Sequence, residues 1–174
     1  SFAITTNVDP DGDGNDAFRL EGHQVVVNDA DDFDYEANAQ LVITAQASDG
    51  SLTDTAQITV NVTDVDESPV AVDNNYQALT NADFTVDSPG VLGNSNDPEG
   101  DALTAALVSG TSNGTLSFNA DGSFTYTPDE NFIGEATFTY QVSDGLNLSN
   151  VATVTLTVPG LLYTGWGVAR FYFI

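Results

Sequence analysis

The sequence has 174 residues, and its 26 Asp and Glu against two Lys and Arg give a formal net charge of −24 at pH 7. So acidic a surface repels phosphate, which excludes nucleic acid and anionic lipid as main partners. With 41% hydrophobic residues the chain is too apolar for a disordered acidic tail, and it lacks the run of roughly 20 apolar residues that spans a membrane.

The type of acid points to calcium as a partner. Twenty of the acids are Asp and six are Glu, and Asp favours turns and short-reach oxygen coordination. A halophilic or simply solvated acidic surface is the alternative. The absence of Cys excludes disulfides and thiolate zinc sites. Because the sequence begins with Ser1 and not Met, we expect a fragment or a processed piece.

The first motif along the chain is the acidic segment DPDGDGND at residues 9–16. Asp9, Asp11 and Asp13 alternate with residues that permit a tight turn, which suits a calcium loop. The EF-hand interpretation fails because the twelfth position is Leu20 and no flanking helices are evident. A plain acidic hairpin is the alternative.

Strict alternation of apolar residues with Thr, Gln and Ser follows at residues 41–48 and 55–63. This pattern predicts antiparallel strands with one solvated face. Pro69 ends pairing in the acidic linker 63–69. Residues 1–66 are short for a complete sandwich, as if the first strands were missing.

The second half repeats the same plan. ASDG at 47–50 and VSDG at 142–145 each precede a final alternating strand, and residues 119–122 predict a hairpin turn. We therefore predict an all-β chain of tandem Greek-key β-sandwiches, with a truncated repeat at 1–66, a complete one at 67–158 and an apolar aromatic tail at 159–174. The aromatic residues expected in the core are Phe118, Phe124, Tyr126, Phe132, Phe138 and Tyr140.

Further acids cluster in predicted loops. A calcium ion takes six to eight oxygens, so a site needs several carboxylates on converging loops. Solvated loop acids are the alternative, since Asp is common in turns. The clusters are Asp34 with Glu36; Asp64, Asp66 and Glu67; Asp97, Glu99 and Asp101; and Asp144 before a turn glycine.

Residues 68–158 resemble the bacterial cadherin-like and immunoglobulin-like repeats of large secreted adhesins. The segments that carry the resemblance are 69–76, 89–101, 114–116, 121–128, 131–134 and 138–145. Residues 1–67 resemble the later part of a cadherin-type repeat, on the segments 34–36, 47–50 and 64–69.

The resemblance implies a calcium-rigidified spacer or adhesion module that is secreted or on the cell surface, with neighbouring repeats as partners. By that resemblance, Asp34, Glu36 and Glu67 share an ion. Asp97, Glu99 or Asp101, together with Asp144, lie on its other side, and Asp73 adds an oxygen.

We do not expect an enzyme, because the only histidine, His23, is predicted on a surface strand and no nucleophile elbow is present. A carbohydrate-binding module of a secreted hydrolase is one alternative, with exposed aromatics such as Trp166 stacking on polysaccharide. A fibre subunit is the other, in which residues 168–174 add as a strand to the incomplete sheet of another adhesin copy.

Overall fold

The computed structural model describes residues 1–164 and 168–171, with side chains for residues 1–160. The chain divides into two compact units, Ser1–Val65 and Asp66–Ile174. Trp166 and the end of the predicted tail strand lie outside the described residues. The strands are β1 Phe2–Thr6, β2 Phe18–Glu21, β3 Gln24–Val27, β4 Gln40–Ser48, β5 Thr53–Asn61, β6 Asn74–Gln77, β7 Phe84–Val86, β8 Thr104–Ser109, β9 Gly114–Phe118, β10 Phe124–Pro128, β11 Gly134–Ser143, β12 Ala152–Val158, β13 Leu161–Thr164 and β14 Val168–Phe171.

One short 3-10 helix, Gly90–Asn94, precedes β8. Within the described part of the chain, no helix has the length and apolar character needed to cross a membrane.

The first unit contains an antiparallel sheet in the order β1-β4-β5 and a separate β2-β3 hairpin. β4 and β5 pair over their full length, from Gln40 opposite Asn61 to Ser48 opposite Thr53. The strands that alternation predicted in this region are thus confirmed.

The core of the first unit lies at one end of this sheet. Leu41 and Ile43 of β4 are buried against Phe18, which packs edge to face on Phe33 with ring centroids 5.4 Å apart. Ile58, opposite Ile43 on β5, is 37% exposed. The predicted inward face of β5 is therefore only partly covered, because the small apolar cluster reaches one end of the sheet.

The second unit is a sandwich of a three-stranded sheet, β7-β10-β9, and a four-stranded sheet, β6-β12-β11-β8. The predicted hairpin is present, with Phe118 of β9 opposite Phe124 of β10. The sheets are antiparallel except that β6 runs parallel to β12. Alternation shows which face of a strand is apolar but not which way its neighbour runs, so this pair was not predicted.

Alternate residues of β10, β11 and β12 fill the core between the two sheets. Four of the six predicted core aromatics are at most 1% exposed, and Phe118 and Phe132 pack against them partly buried. Phe124 and Phe138 meet in a T-shaped contact with centroids 5.1 Å apart. Burial of each large side chain contributes about 1.5–3 kcal/mol.

The Tyr140 hydroxyl fastens the start of the second unit to this core. It donates to the Val72 carbonyl at 2.7 Å and accepts from the Asn74 amide at 3.1 Å. Burial raises the pKa of Tyr140, so the hydroxyl keeps its proton as a donor. These bonds fix the segment that leads from residue 66 into β6.

Candidate metal centre

Asp97 is the most buried acid of the second unit, with 7% of its surface exposed. It lies between the 3-10 helix and β8, and its Oδ1 accepts the Asp101 N–H at 3.0 Å. Its Oδ2 is buried and has no hydrogen-bond partner among the described residues. A buried carboxylate oxygen without a partner is costly unless a cation compensates for it.

Glu99 and Asp144 share this arrangement. One oxygen of Glu99 accepts the Glu67 N–H at 3.2 Å, and Oδ1 of Asp144 accepts the N–H groups of Leu146 and Asn147, both at 2.6 Å. The second oxygen of each carboxylate, Glu99 Oε2 and Asp144 Oδ2, is buried without a partner among the described residues. Three acids thus each present one oxygen that the described protein groups leave unsatisfied.

Asp66 joins this group through Asn147, whose side-chain amide donates to the Asp66 carbonyl at 3.1 Å and to its Oδ2 at 2.6 Å. Burial raises the pKa of Asp66, and nearby negative charges raise it further. The acids that supply those charges are Asp144, Glu99, Asp101 and Asp97. Five of the sequence-predicted ligands therefore lie close together.

Glu67 lies beside Glu99 in the same group. Hydrogen bonding to the Glu67 side chain and N–H lowers the pKa of Glu99, although burial and the charge of Asp144 act in the opposite direction. We call Asp66, Glu67, Asp97, Glu99, Asp101 and Asp144 the Asp97 cluster.

Four further predicted ligands are exposed. Asp73 is exposed, and its Oδ1 accepts the Thr153 N–H at 2.7 Å, so it holds the start of β12. Asp34 and Glu36 are exposed on a turn before β4, where Asp34 Oδ1 accepts the Ala37 N–H at 2.9 Å. Asp64 is exposed near the end of the first unit. The metal-binding roles of these four acids stay predictions.

A second group of acids lies within the first unit. One carboxylate oxygen from each of Asp9, Asp11 and Asp32 lies within 4.8 Å of the others. Asp13, predicted alongside Asp9 and Asp11, is outside this group, and its carboxylate accepts both the N–H and the side-chain amide of Asn15. Sequence reasoning missed Asp32, because no spacing motif connects it with residues 9–13.

Two asparagines of the second unit were also missed. Besides Asn147, which holds Asp66, Asn150 makes a pair of hydrogen bonds with the backbone of Ala71, at 3.0 and 2.9 Å. Both follow the Asp144 turn within six residues, which is the one signal that links them to the site. They fix the entry segment against the loop that carries Asp144.

The chain offers almost no positive charge to balance these acids. It contains two basic residues, Arg19 and Arg170. Arg19 pairs with Glu21 at 2.5 Å on the β2-β3 hairpin, and Arg170 belongs to β14. The donor set of the Asp97 cluster is carboxylate oxygen with nearby carbonyls, which is the set that hard divalent cations bind.

The carbohydrate-binding alternative calls for exposed aromatic side chains that can stack on sugars, and residues 66–160 offer few. All eight aromatic side chains there belong to the core or pack against it: Tyr76, Phe84, Phe118, Phe124, Tyr126, Phe132, Phe138 and Tyr140.

His23 lies in the turn between β2 and β3, not on a strand as predicted, with its ring edge-on to Phe2 at 5.1 Å. Gly22 and His23 form the turn there, with Gly22 at a φ of +63°.

Comparison with known proteins shows what this chain resembles. A family model described as the bacterial cadherin-like domain matches residues 66–160. Protocadherin Fat 1 of Homo sapiens is 26% identical over 162 residues, which is 84% of this chain and 3% of the relative. The chain therefore spans a very small part of that curated relative.

Among solved structures, the human desmocollin-1 ectodomain aligns at a TM-score of 0.55 and 15% identity, over 92% of this chain and 35% of its own. An endo-fucoidan hydrolase of glycoside hydrolase family 107 aligns at a TM-score of 0.40 and 20% identity, over 91% of this chain and 23% of its own. The first likeness shows a shared fold, which confirms the predicted tandem cadherin-like β-sandwich. The second is too weak to indicate more.

Proposed function

Because this chain belongs to the bacterial cadherin-like domain family, we propose that it is a calcium-binding structural or adhesion module of an extracellular repeat protein. One observation carries the proposal. Asp97, Glu99 and Asp144 each leave one buried oxygen unsatisfied among the described residues.

Calcium fits this set of donors better than other common cations. It accepts six to eight oxygens in flexible geometry, whereas magnesium demands a near-ideal octahedron and zinc favours nitrogen and sulfur. The Asp97 cluster contains six carboxylates and no His or Cys. Its excess of negative charge also favours a divalent cation over a monovalent one.

The mechanism that we propose is electrostatic. Without metal, the clustered carboxylates repel one another and the segment at Asp66 is strained by like charge. A bound calcium ion cancels two charges and ties Asp66 and Glu67 to the loops that carry Asp97 and Asp144. Asp66 is the first residue of the second unit, so the ion stiffens the chain where one repeat passes into the next.

A calcium titration of the full chain by calorimetry tests the proposal. We expect wild type to bind calcium and Asp144→Asn to bind it at least tenfold more weakly, since the variant loses one of the unsatisfied oxygens. Asp87→Asn is the matched control, because it removes the same charge from an exposed acid outside the Asp97 cluster. Unchanged binding in Asp144→Asn, or an equal loss in Asp87→Asn, would contradict the proposed site.

Scattering measurements test the mechanical part of the proposal separately. We expect the radius of gyration of the full chain to rise when EDTA replaces calcium, because the junction then flexes. If the chain binds calcium but its scattering profile does not change, the proposed site stands and the proposed stiffening role is wrong.

A further inference from the structure

The first unit contains an acid that is buried more deeply than any in the Asp97 cluster. Asp32 is 1% exposed, and its Oδ1 accepts the Asp11 N–H at 3.3 Å. Its Oδ2 is buried and has no hydrogen-bond partner among the described residues. This carboxylate is held toward the loop at residues 9–16.

Among the residues whose side chains are described, none forms an ion pair with Asp32. Burial raises the pKa of Asp32, and the negative charges of Asp11, Asp29 and Asp9 raise it further. The sequence has no Lys, and Arg19 already pairs with Glu21. A bound cation would supply the positive charge that the described side chains do not give this group when it is ionised.

The geometry suits a single ion. Two oxygens bound to one calcium at about 2.4 Å can be at most about 4.8 Å apart. One oxygen each from Asp9, Asp11 and Asp32 satisfies that limit for every pair, since all three lie within 4.8 Å of one another.

The loop that supplies Asp9 and Asp11 is already closed. The Asp9 carboxylate accepts the N–H groups of Gly12 at 2.8 Å and Gly14 at 3.1 Å. Gly12 and Gly14 have φ values of +77° and +96°, a region that other residues adopt only with strain. The loop thus holds Asp9 in place before any ion binds.

We propose that Asp9, Asp11 and Asp32 bind a hard divalent cation, calcium in view of the all-oxygen donors, at a site contained within the first unit. The site is separate from the Asp97 cluster and does not depend on the proposed function. Asp32 immediately precedes Phe33, which packs against the core of this unit. The ion therefore links the loop at 9–16 to the small core and stabilises the unit when calcium is present.

Calorimetric titration of the full chain with calcium chloride tests this site through three variants. Asp32→Asn removes the buried ligand. Asp11→Asn removes an exposed ligand and keeps the main-chain N–H that bonds Asp32, so it leaves the fold intact even if Asp32→Asn does not. Asp13→Asn is the matched control, because it removes the same charge from the same loop but lies outside the group.

We expect Asp11→Asn and Asp32→Asn each to lose one equivalent of bound calcium, or to weaken one class of site at least tenfold. Asp13→Asn should stay within twofold of wild type. Amide NMR shifts on calcium addition should include residues 9–16 and 32 in wild type and not in Asp11→Asn. If Asp11→Asn binds calcium as wild type does, or if Asp13→Asn loses as much calcium binding as Asp11→Asn, the proposal is overturned.

The same titration on Asp97→Asn separates the two sites. If Asp11→Asn loses binding while Asp97→Asn does not, the first-unit site stands and the proposed function fails. The reverse result retains the proposed function and refutes the site at Asp32.

Discussion

Replacing Asp97 with Asn should change the stability of the second unit in opposite directions with and without calcium. The substitution conserves shape and keeps Oδ1 as the acceptor for the Asp101 N–H. In EDTA it removes one of several crowded negative charges and replaces a buried, unsatisfied oxygen with a neutral amide. We therefore expect the melting temperature in EDTA to stay the same or rise by a few degrees.

With calcium the sign reverses, because Asp97 supplies one of the three buried oxygens of the Asp97 cluster that lack a partner among the described residues. A tenfold loss of calcium affinity corresponds to about 1.4 kcal/mol of stabilisation at saturating metal. For a unit of this size, about 4–8 °C per kcal/mol converts that loss into a decrease of about 6–11 °C.

Scanning calorimetry of wild type and Asp97→Asn, each in EDTA and in millimolar calcium, measures all four melting temperatures. Asp87→Asn again serves as the control and should show no reversal. If Asp97→Asn lowers the melting temperature equally in both conditions, the residue is a structural anchor and the electrostatic argument is wrong.

Three further predictions concern packing and hydrogen bonds elsewhere in the chain. Leu156→Ala should cost about 2–5 kcal/mol in urea unfolding because Leu156 is fully buried, whereas Ile58→Ala, at a position 37% exposed, should cost about 1 kcal/mol or less; equal costs would contradict the described burial. Tyr140→Phe should cost about 1–3 kcal/mol, since the carbonyl bonded to its hydroxyl loses a buried donor, and an unchanged unfolding free energy would refute that role. The hydroxyl and N–H of Ser123 lower the pKa of Asp121. The ionised Asp121 carboxylate therefore stabilises the fold above the unfolded pKa of Asp121, about 3.9, and this stabilisation is lost as pH falls through its folded pKa. The melting temperatures of wild type and Asp121→Ala should therefore differ at pH 7 and converge in strong acid, and a constant difference would argue against this effect.

Local pattern was enough to predict most of the second unit. Thr and apolar residues alternate in β11 and β12 because one face of each strand packs in the core, and that period is visible in the sequence itself. The parallel pairing of β6 with β12 was not predictable in the same way. β6 has four residues, and its direction depends on where the chain re-enters the sheet.

The candidate sites show the same division between local and tertiary information. Asp97, Glu99 and Asp101 are close in sequence, so their association follows from the turn that carries them. Asp32 approaches Asp11 only because the first unit folds. Asp73 was predicted as a ligand from the family resemblance; its Oδ1 accepts the N–H of Thr153 in β12, and its metal-binding role stays a prediction.

The parallel pair of β6 and β12 also determines how the second unit responds to tension. β6 is the first strand of the unit and β12 is the last before the β13-β14 hairpin. Force applied near residues 66 and 160 pulls these neighbours in opposite directions along their length. It loads all four residue pairs, from Asn74 with Val154 to Gln77 with Thr157, at the same moment. Hydrogen bonds that share a shearing load break together, whereas those of a hairpin pulled at its open end break one after another. The parallel pair therefore lets this unit resist force applied along its chain.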